Sequence, residues 1–258
     1  MDPVITIAVG AALLALLTAG VFIARYRATP PSVLLASGLA VLAMESLLVG
    51  LSATALLPEH MMNLQRGRLL AAALAPGVWL AFSLLYARTN YREFVRLWRL
   101  PLAIACALPL GIVAAGWRQL LLQVNIEEGR LYWTQQVGSA GLALRVVEIL
   151  AAVLILMNLE KTLREARGTM RWRIKFLLAG VLVIFATRIY LWGQTLLLHN
   201  INPVQDSLGA LALVAGCALL LLSLRRSPRL QMDLYVSTNM VFGSLAVVLV
   251  AVYLMTVG

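Results

Sequence analysis

Four ionisable residues sit in apolar runs where a charge is expensive: Glu45, Arg145, Glu148 and Arg188. At the centre of a membrane helix each costs about 2.5–3.5 kcal/mol on insertion scales, so such groups face the bundle interior and take partners. Arginine does not shed its proton, so each guanidinium needs a carboxylate, a carbonyl or water beside it. Arg145 and Glu148 are three residues apart and share a helix face. Counting about 1.5 Å of rise per residue, they lie about 12 and 16 Å below the expected outer end of their helix. Arg188 lies about 15 Å below its own outer end, and Glu45 about 18 Å. The depths agree within one helical turn, so the four can form one neutral cluster, extended outward by Tyr190 and Gln194. Two readings stay open. The cluster is either an ion-pair clamp that fixes helix rotation or a polar, water-accessible pocket that binds a signal or relays a proton.

Other chemistry is sparse. Cys106 and Cys217 fall in separate apolar runs and read as buried, inert thiols. His60 and His199 are isolated and read as surface or interfacial residues rather than metal ligands. Phosphate-binding loops, dinucleotide fingerprints, zinc-protease helices and nucleophile elbows are missing from the sequence. No catalytic residue and no metal ligand is assigned.

The elements that position the four charges are long apolar segments. The chain of 258 residues is 62% hydrophobic and only 12% charged. One soluble core cannot hide that much apolar surface, whereas about 20 such residues cross a hydrocarbon layer as a helix. Eight spans are expected, near 4–24, 32–57, 68–88, 100–117, 137–158, 174–198, 203–224 and 235–257, making an all-α polytopic bundle. Pro30, Pro31, Pro58, Pro101 and Pro203 fall at their boundaries, and Pro76 and Pro109 inside them, where a kink or broken turn is expected. The first span opens on Met1, Asp2 and Pro3, with no basic segment ahead of it, and so reads as a retained helix rather than a cleaved signal peptide.

The basic residues alternate between connections. Arg25, Arg27, Arg88, Arg92, Arg96, Arg99, Lys161, Arg164, Arg167, Arg171, Arg173, Lys175, Arg225, Arg226 and Arg229 are fifteen of the 21 Lys and Arg, all in alternate connections. The others carry Arg66, Arg68, Arg118 and Arg130. The positive-inside rule then places the N-terminus outside, which in a bacterial inner membrane is the periplasm. The net charge of +10 is thereby a topology signal that also attracts anionic inner-leaflet lipid. The bilayer is the implied partner, and no basic soluble domain is present to bind nucleic acid. Trp98 and Trp172 fit the inner interface, and Trp117 and Trp133 the outer one.

Two connections stand out. Glu160, Lys161, Arg164 and Glu165 offer i,i+4 pairs that extend the fifth helix beyond the membrane, with Gly168 to end it. A charged extension obeying orientation rules and a lever to a cytoplasmic partner are both open. At 120–135, Leu122, Val124 and Ile126 alternate with Gln123 and Asn125 before a turn at Glu127–Arg130, which predicts a short β-hairpin, a candidate lid over the outer face. Ala15 with Ala19, and Ala212 with Gly216, have the small-xxx-small spacing of close helix contact.

The runs MRWRIKFLLAGVLVIFATRIYLWGQTLLL at 170–198 and PRLQMDLYVSTNMVFGSLAVVLVAVYLMTVG at 228–258 resemble the PrsK-like membrane histidine kinases associated with exosortase and PEP-CTERM protein sorting. The likeness lies in segment order and in phrases such as RWRIKFL, RIY, QTLL and DLYVS. It covers mainly the second half of the chain. The resemblance implies an N-terminal sensor followed by a further span, a GAF-like domain, a phospho-acceptor histidine domain and an ATP-binding kinase domain. It also implies a homodimer with a response regulator as partner, and ATP and Mg only for the missing kinase region. His60 and His199, expected on the outer side, do not match the phospho-acceptor. Two rivals remain: a small-solute transporter with Glu45, Arg145, Glu148 and Arg188 lining a midplane site, and a passive anchor or scaffold.

Overall fold

The computed structural model describes residues 3–55, 57–86, 96, 98–126, 133–166 and 169–226. Its helices are α1 (Pro3–Tyr26), α2 (Pro30–Thr54), α3 (Pro58–Ala72), α4 (Ala75–Leu85), α5 (Arg99–Ala115), α6 (Ser139–Glu165), α7 (Thr169–Leu198) and α8 (Pro203–Arg226). Three strands, β1 (Leu121–Ile126), β2 (Trp133–Val137) and β3 (Asn200–Ile201), form one small antiparallel sheet in the order β1-β2-β3. The chain is a multi-pass membrane protein built as an α-helical bundle.

Six helical spans among the described residues are long and apolar enough to cross a membrane, with α3 and α4 together making one of them. Eight were expected. The segment expected at 100–117 is helical over only 17 residues, about 25 Å of rise. The segment at 235–257 lies outside the described residues. The span expected at 68–88 starts earlier, at Pro58, and the helix breaks at Ala73–Leu74, ahead of Pro76. The Pro76 ring excludes a normal helical turn on its N-terminal side, so the chain restarts as α4 with the proline near its first position.

Packing neighbours close a ring. α1 packs on α2, α2 on α4, α4 on α6, α6 on α7, α7 on α8, and α8 returns to α1, while α5 lies against α4 and α6 from outside. Small residues set the close approaches. Ala8, Ala11, Ala12, Ala15 and Ala19 are buried along one stripe of α1. Gly180 and Gly216 bring α7 and α8 together so tightly that a Cβ on Gly180 would lie 2.8 Å from the Gly216 carbonyl oxygen. Without a hydrophobic drive between helices in lipid, such close van der Waals contact is what holds them.

The ring's interior has two storeys. The half away from the sheet is filled by aromatic side chains. Trp79 is fully buried, edge-on to Phe82 and Phe185 at 5.7 and 5.2 Å between centroids. Gly38 admits the indole: a Cβ there would lie 2.7 Å from it. Phe22, Tyr26 and Tyr86 continue this layer. The half nearer the sheet holds charges. The sheet sits at the end where α2 stops and α3, α6 and α8 start, tied down by Arg66 of α3, which donates to the Leu121 carbonyl at 3.2 Å. The turn expected at Glu127–Arg130 lies outside the described residues, and β1 carries a register shift between Leu121 and Gln123.

α6 runs on to Glu165, with Arg164 bonded to Glu160 at 2.5 Å and Lys161 4.0 Å from Glu165. Gly168, expected to end it, lies outside the described residues. Cys217 is buried, as expected, but Cys106 is exposed: it sits on the peripheral α5, with its thiol against Gly77 of α4 and nothing among the described residues packed outside it. His60 and His199 are both exposed.

Candidate functional site

Residues from five helices and the sheet enclose a cavity of about 70 Å³ beneath the sheet. α2 contributes Glu45 and Ser46, α3 Arg68, α6 Arg145, α7 Arg188, Trp192 and Thr195, and α8 Asp206. Ile201 of β3 lies at its roof.

Three ion pairs organise the site. Arg188 grips Glu45 through both terminal nitrogens, one bond measuring 3.2 Å from Nη1 to Oε1. This pair ties α7 to α2. Arg68 holds Asp206 in the same two-pronged way, at 2.8 Å from Nη1 to Oδ2 and 2.7 Å from Nη2 to Oδ1, tying α3 to α8. Arg145 donates to Glu148 at 2.6 Å within α6 itself. Planar guanidinium and carboxylate groups match in such pairs, and each oxygen so held is one fewer unsatisfied acceptor in lipid.

Polar neighbours complete the shell. Arg68 also donates to Gln65 Oε1 at 3.0 Å, and Gln65 donates to Ser52 Oγ at 2.8 Å, binding α3 back to α2. Ser46 donates to the Ala8 carbonyl at 2.8 Å, which fixes α1 against α2 at the same level. Trp192 is near two cations, its ring centroid 5.3 Å from the Arg188 guanidinium carbon and 6.0 Å from that of Arg145. Both distances lie within the range of cation–π attraction.

The structure thus brings together the four charges singled out by depth. Glu45, Arg145 and Arg188 line one cavity, and Glu148 stands behind Arg145 as its partner. Glu45, Arg145 and Glu148 are buried to within 5% exposure, and the Arg188 side chain is 17% exposed. Tyr190 does not extend the cluster, since it is exposed on the outside of α7, and Gln194 is not among the lining residues. Two residues from Arg188 is about 200° around a helix, whereas Trp192 and Thr195, four and seven residues on, return to the same face.

Arg68 and Asp206 were not read from the sequence. Arg68 was placed in an outer connection, where its charge costs little, and Asp206 is the fourth residue of α8. A signal existed: Arg68 opens the expected span at 68–88 and Asp206 lies near the start of that at 203–224, so the two opposite charges are available to each other. Two atoms of the site lack partners, Arg145 Nε and Glu148 Oε1. Among the described residues no group of three or more His, Cys, Asp or Glu side chains is placed to hold a metal ion.

Chemically the arrangement is a set of fixed charges, not a nucleophile with its base. It suits holding or exchanging ions and hydrogen bonds in a low-dielectric chamber. The cavity ends at the aromatic layer below it. Comparison with known proteins returns no match, whether to a family model, a curated protein or a solved structure.

Proposed function

We propose that the chain is the membrane-embedded sensory input region of a bacterial two-component histidine kinase, seated in the inner membrane with the sheet end in the periplasm. Its signal is received in the charged cavity and passed through the helix ends opposite the sheet to a C-terminal kinase. The observation that carries this reading is the polar pocket whose charges tie α2 to α7 and α3 to α8. A chamber of paired charges beneath an extramembrane sheet is a two-state element that a small perturbation can re-pair. Support for the kinase comes from the PrsK-like phrases in α7 and after α8. Support for the orientation comes from the basic residues at the end away from the sheet, such as Arg25, Lys161 and Lys175. On this reading the working form is a homodimer, and a response regulator is the downstream partner.

A small-solute permease and a passive anchor are the rivals. Beneath the cavity the interior is filled by Trp79, Phe82 and Phe185, which weighs against a through path. The deciding experiment replaces this bundle, in the kinase-bearing protein, with an unrelated set of spans that preserves membrane attachment. Loss of regulated autophosphorylation is expected. Regulation that persists refutes the sensor, and solute flux through the purified bundle in liposomes points to the permease.

A further inference from the structure

The cavity wall is electrically lopsided. Arg68, Arg145 and Arg188 line it against only Glu45 and Asp206. Glu148, which neutralises Arg145, is not among the lining side chains. Arg68 and Arg188 each hold a carboxylate with both terminal nitrogens. Arg145 differs: Nη1 is taken by Glu148, and its buried Nε has no partner.

Trp192 sharpens the imbalance. The guanidinium groups of Arg145 and Arg188 both stand within 6.0 Å of its ring centroid, so two cations share one aromatic wall. Like charges in a low-dielectric chamber raise each other's energy, and an anion beside both lowers it. The unpartnered Nε–H supplies a donor in the guanidinium plane, the geometry that suits a planar oxyanion. Size limits the choice. At roughly 10–15 Å³ of such space per water, about 70 Å³ holds about five waters. That space suits an anion of a few heavy atoms.

The geometry points to a binding site for a small planar oxyanion, of the short-carboxylate class, held between Arg145 and Arg188 against Trp192 beneath the sheet. The inference rests on reading this cavity as the input site and names the class of ligand it takes. Arg145 turns its free Nε–H to the anion, Arg188 adds positive charge, and Ile201 closes the roof.

The test uses the full chain in lipid nanodiscs, titrated with sodium acetate against sodium gluconate at matched ionic strength, with heat and tryptophan fluorescence as readouts. Saturable acetate binding is expected, with the bulkier gluconate binding far more weakly. The double variant Arg145→Gln/Glu148→Gln removes donor and partner together and leaves no orphaned charge. It should bind acetate about ten- to a hundredfold more weakly, the loss of one hydrogen bond to a charged group. If that variant does not fold, Gly209→Leu keeps every charge and fills the cavity, since Gly209 lines it with Leu191 as the nearest neighbour. Binding should then vanish from a folded bundle. Equal responses to acetate and gluconate, or acetate affinity unchanged in the folded variants, overturns the inference. The binding readout is independent of kinase output: acetate bound without an effect on phosphorylation leaves this site standing and removes only the sensor.

Discussion

Cutting the Glu45–Arg188 pair on one side should harm the protein far more than removing both partners. Glu45 is almost fully buried, and the Arg188 side chain is 17% exposed. At an effective dielectric near 20 and about 4 Å between charges, the gross attraction is about 4 kcal/mol. Arg188→Leu leaves Glu45 charged and desolvated, with the nearest remaining cations engaged by their own carboxylates. Such an orphaned partner costs about 3–5 kcal/mol. Glu45→Leu orphans Arg188 in the same way, softened by its partial exposure and by Trp192 beneath it, so about 2–4 kcal/mol is expected. Glu45→Leu/Arg188→Leu removes the charges and fills their place with apolar volume, so it should fall within about 1 kcal/mol of the parent. The coupling across the cycle is then several kcal/mol and opposite in sign to the single losses. Reversible unfolding in mixed micelles, followed by far-ultraviolet dichroism for all four proteins, measures it. Additive single effects, or a double variant as unstable as the worse single, would refute the claim that these charges hold each other in the bundle.

Further expectations follow from packing and exposure. Gly180→Ala should destabilise the bundle by about 1–3 kcal/mol, because its Cβ meets the Gly216 carbonyl oxygen at 2.8 Å, whereas Gly193→Ala, with open space around it, should be neutral or stabilising in the same unfolding assay. Arg164→Ala breaks only an exposed pair with Glu160 and should change stability by less than about 0.5 kcal/mol. A reporter that fluoresces only in the cytoplasm should light when fused after Tyr26 or Ala166 and stay dark after Ala55; the reverse pattern would invert the proposed orientation. Arg188→Leu and Glu148→Leu should each lower kinase output at normal membrane levels, read by phosphotransfer to the response regulator, and unchanged output would leave the cluster a structural clamp.

The membrane helices were legible because about 20 consecutive apolar residues have few other fates. The four deep charges were legible for a related reason: within such a run one Glu or Arg is conspicuous, and rise per residue converts its position to depth. What failed was phase and company. Tyr190 and Gln194 were attached to the cluster by nearness in sequence, although a helix turns them off the Arg188 face. Trp192 is on that face, but a tryptophan in an apolar run carries no charge to single it out. Arg68 and Asp206 were hidden by cheapness, since a charge near a helix start raises no alarm until its partner from a distant part of the chain is seen. β3 is two residues long, too short for any alternation to show. The span count failed at α5, where apolar composition was right and length was not.

The three ion pairs are not equivalent, and the difference suggests where motion starts. Glu45–Arg188 and Arg68–Asp206 each join two helices, so breaking either loosens the ring directly. Arg145–Glu148 lies within α6 and joins nothing across helices. Arg145 can therefore be drawn toward a new partner without first breaking an interhelical ion pair. An anion that takes it pulls α6 toward α7, which carries Arg188 and Trp192. These two helices pack side by side, α6 ending at Glu165 and α7 beginning at Thr169, both at the end away from the sheet. A shift at the cavity thus arrives where a cytoplasmic partner would feel it. To move a kinase from about 1% to 99% active, the ligand must favour one state by roughly 5.5 kcal/mol. One charged hydrogen bond supplies about 1.5–3 kcal/mol, so two to four contacts made in only one arrangement are enough. Arg145 Nε supplies one of these to an oxyanion, so the remainder must come from helix contacts made only in the liganded arrangement.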